Sequence, residues 1–166
     1  FPPGTVHVVV VDPGVGGERR AILAEAAGQY FVAPDNGVLS QVYEREDYTV
    51  RAIDVERFAL QPLSRTFHGR DVFAPVAAWL SSGKAPAEFG DVIDGACRLE
   101  TTQPRQAGPG RWLGRVLNVD RFGNIVTSFP AALLDEAAGG IRCVAGELKA
   151  VAVVASYSGG EGGKPF

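Results

Sequence analysis

Residues 6–11, Val-His-Val-Val-Val-Val, constrain the fold most: an apolar, mostly β-branched run of strand length that stops abruptly at Asp12, Pro13 and Gly14. Branching at Cβ favours the extended backbone, and a run without polar alternation fits a strand covered on both faces. A sheet flanked by other elements is therefore expected, with the turn "DPGVGGERR" at the carboxyl end of one strand. Open α/β sheets place ligands at that end.

A glycine-rich turn after a strand can cradle phosphate through its backbone N–H groups. This one lacks the means. No Lys-Ser/Thr pair follows, and Arg19 stands where a dinucleotide fingerprint starting at Gly14 needs its third glycine. Asp12 would also repel a phosphate, so the turn suits a neutral or cationic ligand.

The stretch "AILAEAAGQYFVAP" reads as two strands broken at Gly28 into a hairpin, and "YTVRAID" as another strand. Between them "NGVLSQVYERE" fits a short helix. A second helix is expected in "GRDVFAPVAAWLSSGK", starting near Arg70, with Val72, Val76, Trp79 and Leu80 on one face and Gly83 as its stop. Pro75 is tolerated in the first turn. The run "ETTQPRQAGPGRW" reads as a linker, followed by strands in "GRVLNVD", "NIVTSF" and "KAVAVVASY". The expected architecture is an N-terminal α/β domain with a central sheet over residues 1–97, a linker over 98–112, and a smaller, mostly β domain over 113–166.

Composition excludes several classes. The 166 residues are 46% apolar and 21% charged, ordinary for a folded globular chain. A net charge of -3 without a basic block gives no nucleic-acid footprint, and no apolar run approaches the roughly 20 residues of a membrane span. Cys97 and Cys143 lack metal or redox spacing, which favours a reducing compartment, and a cytoplasmic protein is expected. The chain opens on "FPPGTV", contains no methionine and stops at "EGGKPF". An interior portion of a longer protein is expected.

Three places hold side chains capable of chemistry. Asp12 either caps a simple "DPG" turn or faces a ligand beside Arg19, seven residues on. His7 sits within the strand and reads as a packed, hydrogen-bonded residue. His68, in the loop "TFHGRD", is either solvated or the third member of a set with Asp12 and Arg19 that could hold and deprotonate a water. "DRFGN", residues 120–124, is a plausible hairpin turn in its own right. It nevertheless offers the Phe122 ring, the donor and acceptor of Asn124, and the Asp120 countercharge for an ammonium.

Taken in order, "VDPGVGGERR", "APDNGVLS", "TFHGRDVFAPVAA" and "DRFGNIVTSF" resemble the S-adenosyl-L-methionine (SAM) hydroxide adenosyltransferases. These are adenosine-forming SAM hydrolases related to fluorinase and chlorinase. The resemblance implies an N-terminal α/β domain, a barrel-like C-terminal β domain, and a homotrimer with active sites shared between neighbouring subunits. It implies SAM as substrate, no cofactor or metal, and a catalytic set at Asp12, Arg19 and His68. Asp120 would hold the methionine amino group, Phe122 and Asn124 would contact adenine, and Tyr157 in "SYSG" would pack on the base. Two family segments, a "TDFG"-type strand end and a stretch after "SYS", are expected outside this chain. Within the same family a SAM-dependent halogenase is the alternative, disfavoured by an acid at residue 12. A non-catalytic SAM or adenosine sensor is the alternative from another class.

Overall fold

A computed structural model describes residues 1–44, 47–100, 103–135, 143–145 and 148–150. The chain divides into two compact units, Phe1–Thr101 and Thr102–Phe166.

The first unit is built on a four-stranded sheet. Strands β1 (Val6–Val8), β2 (Ala21–Ala26), β3 (Gln29–Pro34) and β4 (Tyr48–Ala52) lie in the order β1-β3-β2-β4. β1 runs parallel to β3, whereas β2 is antiparallel to both β3 and β4. The β2–β3 hairpin turns at Ala27 and Gly28, both with positive φ, as a two-residue turn requires to match strand twist. Alternation along β2 sends Ala21 and Leu23 to one face and Ile22 and Ala24 to the other. Both faces are covered. Val72, Phe73, Val76, Leu80, Phe58 and Phe89 pack on the first, while Leu39 and Tyr43 pack on the second.

The strand covered on both faces is thus β2, and the expectation for residues 6–11 needs correction. Only residues 6–8 are strand, at the sheet edge, and Val8, Val10 and Val11 are exposed. Pro34 explains the early end. The ladder runs from Tyr30 N–H to the Thr5 carbonyl, and two further steps would put residue 34 N–H on Val9. Proline has no N–H to give.

The short helices are α1 (Ser40–Tyr43) and α2 (Val55–Phe58); the latter has no counterpart in the sequence reading and is capped by Asp54, which accepts from Arg57 N–H. The second expected helix has two parts, a π-helical turn over Gly69–Phe73 leading into α3 (Ala74–Ser81). Pro75 lies in the first turn of α3, and Gly83 ends it with φ +97°. Trp79 departs from its expected face: it is 52% exposed, because Val76, Ala77 and Leu80 already fill the side turned to the sheet.

In the second unit β5 (Arg105–Gly108) pairs with β6 (Arg111–Leu113), so a hairpin occupies part of the stretch read as linker. The two strands are joined through Pro109-Gly110, with Gly110 at φ +63°. β7 (Val116–Val119) and β8 (Ile125–Thr127) form a second hairpin, closed by the "DRFGN" turn. Helix α4 (Ala132–Asp135) precedes a third pair, β9 (Cys143–Ala145) and β10 (Leu148–Ala150). Among the described residues these are separate two-stranded sheets and no closed barrel forms. The strand expected in "KAVAVVASY" is described only as far as Ala150.

Candidate active site

Beyond Val11 the chain makes two tight turns, with Val15 N–H bonding the Asp12 carbonyl and Gly17 N–H bonding that of Gly14. Gly16 has φ +76°, and a Cβ there would overlap the Arg65 carbonyl oxygen. Only glycine lets the turn lie this close to the 60–67 loop. The turns return Arg19 to Asp12. Arg19 Nε donates to Asp12 Oδ2 at 2.8 Å, and a terminal guanidinium nitrogen bonds the same oxygen. Solvent reaches little of the paired side chains, 5% exposed for Asp12 and 11% for Arg19, although each residue as a whole is half-buried.

His68 arrives from the opposite side of the chain order. Gly69 rests against Val10, where a Cβ would come within 3.2 Å of Val10 Cγ1, and this contact sets the histidine beside the turn. Arg19 donates to His68 Nδ1 at 2.8 Å. Guanidinium has no acceptor, so the ring proton resides on Nε2. Phe73 closes the other side, its ring centroid 5.4 Å from the guanidinium carbon. Asp12, Arg19 and His68 therefore converge as one cluster, in which Asp12 Oδ1 is buried and has no hydrogen-bond partner among the described residues. A buried carboxylate oxygen without a donor is costly, and it fits a site that receives a donor such as water.

Residues next to the cluster in sequence make contacts that the sequence reading missed. Arg20 turns away from Arg19 and pairs with the buried Asp35, whose other oxygen accepts from Cys97 N–H at 2.7 Å. Asn36 donates to the Val11 carbonyl at 3.0 Å, anchoring the residue before Asp12. Asp71 is buried and accepts from Arg70 and from Ser64 N–H, which hold its carboxyl below the usual range, the Arg70 bonds contributing most. The motifs "PDNG" and "HGRD" contained these residues, but nothing local distinguished an anchoring carboxylate from a surface one. His7 is packed as expected, bonded to Gln29 and stacked on Phe31.

The "DRFGN" turn has a different character. Asp120 Oδ1 accepts from the N–H groups of Phe122 and Asn124, and Oδ2 accepts from the Asn124 amide at 2.6 Å. The Asn124 side-chain bond is the main reason its carboxyl titrates below the usual range. Phe122 is 75% exposed, with Arg121 over its ring. Tyr157 lies outside the described residues. Among the described residues no group of three or more His, Cys, Asp or Glu is arranged to hold a metal ion.

The family model for the SAM hydroxide adenosyltransferase N-terminal domain matches residues 1–90, and that for the C-terminal domain matches residues 114–166. The chain belongs to the SAM hydroxide adenosyltransferase family. Among its similar relatives is the (R)-S-adenosyl-L-methionine hydrolase of Salinispora arenicola, 41% identical over 146 residues that cover 84% of this chain and 55% of the relative. An uncharacterized conserved protein of Thermotoga maritima has a similar crystal structure, with a TM-score of 0.75, 39% identity, and coverage of 93% of this chain and 62% of that one. A fluorinase of Actinoplanes sp. is more distant at 27% identity over 170 residues, covering 86% of this chain and 57% of the fluorinase. The chain spans about half the length of the curated SAM hydroxide adenosyltransferase relatives it matches. No helix among its described residues is long and apolar enough to cross a membrane.

Proposed function

We propose that the full protein hydrolyses SAM to adenosine and L-methionine. The observation that carries this reading is the half-buried Asp12–Arg19–His68 cluster with a carboxylate oxygen that has no hydrogen-bond partner among the described residues. SAM bears a sulfonium, so a carboxylate near it is no handicap. A water oxygen attacks ribose C5′ opposite sulfur, the C5′–S electrons leave with sulfur, and methionine departs as a neutral thioether. The water proton goes to Asp12 Oδ1. No proton need be given to the leaving group and no cofactor is required.

The work of the site is then to aim and activate water. In-line positioning can lower the barrier by on the order of 7 kcal/mol. Arg19 stabilises the hydroxide character that develops at attack, and its bond to His68 Nδ1 leaves Nε2–H to orient the water as donor. Asp120 would hold the methionine ammonium, and Phe122, Asn124 and Tyr157 the adenine. For Asn124 this entails sharing or releasing the bond its amide now makes to Asp120. We further propose the two-domain organisation, a homotrimer whose active sites are shared between subunits, and a cytoplasmic location. Names of the SAM hydrolase relatives support the substrate.

The test is product analysis with full-length protein and SAM in heavy-oxygen water containing added chloride or fluoride. The label should appear in the 5′-hydroxyl of adenosine, with unlabelled methionine beside it. Asp12 disfavours an anion already charged on entry, whereas water enters neutral. A 5′-halo nucleoside as main product would make the protein a halogenase, and SAM binding without turnover would make it a sensor.

A further inference from the structure

We propose that Asp71 is a positioning residue for the Asp12–Arg19–His68 cluster, acting by fastening the 60–67 loop to the turn that carries His68. The inference rests on the hydrolase reading for its kinetic consequence, although its structural content stands apart from it. Asp71 is 2% exposed and makes none of the hydrogen bonds within the cluster. It lies three residues after His68 in the π-helical turn.

Several bonds from the loop meet at this one residue. Its Oδ2 accepts from Ser64 N–H at 2.9 Å, its carbonyl accepts from Leu60 N–H at 2.7 Å, and its own N–H donates to the Phe67 carbonyl at 2.9 Å. Arg70 braces the carboxylate through Oδ1 at 2.6 Å and Oδ2 at 3.1 Å, and its guanidinium lies over the Phe67 ring. The residue after Ser64 is Arg65, whose carbonyl lies against Gly16. Gly16 sits midway along the turn between Asp12 and Arg19. Both sides of the Arg19–His68 bond therefore depend on one anchor: His68 through its own turn, and Asp12 with Arg19 through Gly16, Arg65 and Ser64.

A carboxylate suits this place because both of its oxygens accept. In Asp71→Asn the amide NH2 would face either the Ser64 N–H or the Arg70 guanidinium, donor against donor. Such a change moves the loop without touching the reacting groups.

The experiment compares full-length wild type with Asp71→Asn and Gly16→Ala, which disturb opposite ends of the same connection. Nitrogen-15 NMR of the His68 ring and Arg19 Nε–H, recorded without substrate, reads the cluster directly. In the wild type His68 should show one tautomer, protonated at Nε2; in both variants that population should become mixed and the Arg19 resonance should shift. With SAM, kcat should fall by about 10²-fold in each while KM changes little, since misplacement by about 1 Å costs that much. The double variant should be no slower than the slower single one. Folded Asp71→Asn with wild-type His68 and Arg19 resonances overturns the proposal, as does multiplication of the two rate losses in the double variant. If Asp71→Asn does not fold, Gly16→Ala decides, and unshifted cluster resonances there overturn it equally. Absence of SAM turnover in the wild type would remove the hydrolase reading, and the resonance comparison would still decide the role of Asp71.

Discussion

The Asp12 cluster and the Asp120 turn start from similar sequence. Each has an aspartate after a strand, a glycine within four residues and an arginine close by. The outcomes differ. Asp120 commits both oxygens to its own five-residue turn and stays near the surface beside an exposed Phe122. Asp12 gives one oxygen to Arg19, keeps the other without a partner among the described residues, and shares Arg19 with His68, which lies 49 residues beyond that arginine. A local turn satisfies its carboxylate, whereas the tertiary cluster leaves one group in need of a donor. Satisfied carboxylates organise backbone, and an unsatisfied one can do chemistry.

The sharpest way to break this comparison is to remove the acceptor from the first region. Asp12→Asn retains size and can still receive Arg19, yet kcat for SAM hydrolysis should fall about 10²–10⁴-fold with KM nearly unchanged. Steady-state and single-turnover assays of the full-length protein check it. A rise in KM alone would reduce Asp12 to a binding residue and make the two carboxylates alike.

A smaller effect is expected in the second region. Phe122→Ala should weaken adenosine binding by about 1–3 kcal/mol, the value of a base stacked on an aromatic ring, while leaving the Asp120 bonds intact. Isothermal calorimetry measures it. Wild-type affinity would leave "DRFGN" as a turn and nothing more.

The smallest effect concerns acid. The carboxyl of Asp120 is held low chiefly by Asn124, so its folded value lies below the unfolded value of about 3.9. Its contribution to order in the β7–β8 hairpin is thus present above that unfolded value and is lost as pH falls through the folded one. Amide shifts of Gly123 and Asn124 should report a local transition in that window, and Asp120→Asn should abolish it. A transition that also moves the Arg19 and His68 resonances would show that the turn is not local.

Much of this was legible in the sequence for a physical reason. The β2–β3 hairpin follows from Gly28, the end of α3 from Gly83, and the β7–β8 hairpin from Asp120 and Gly123, because each depends on dihedrals and hydrogen bonds within a few residues. The cluster itself was legible only as three candidates, since resemblance could group Asp12, Arg19 and His68 but could not orient their hydrogen bonds. The β1 error has the same origin. A run of six residues, five of them valine, predicted two covered faces, yet coverage depends on where β3 ends, and Pro34 ends it.

Sequence by itself determined the β2–β3 and β7–β8 hairpins, the helix that stops at Gly83 and the residue chemistry at positions 12, 19, 68, 120, 122 and 124. These are properties of the chain over short distances, fixed by side-chain shape and backbone freedom. Only the tertiary structure decided which carboxylates became anchors and which was left with a free oxygen. Arg19 and Arg20 are adjacent and chemically identical, yet one reaches Asp12 and His68 while the other reaches Asp35. Burial and partner choice arise from segments far apart in the chain, and no local rule carries that information.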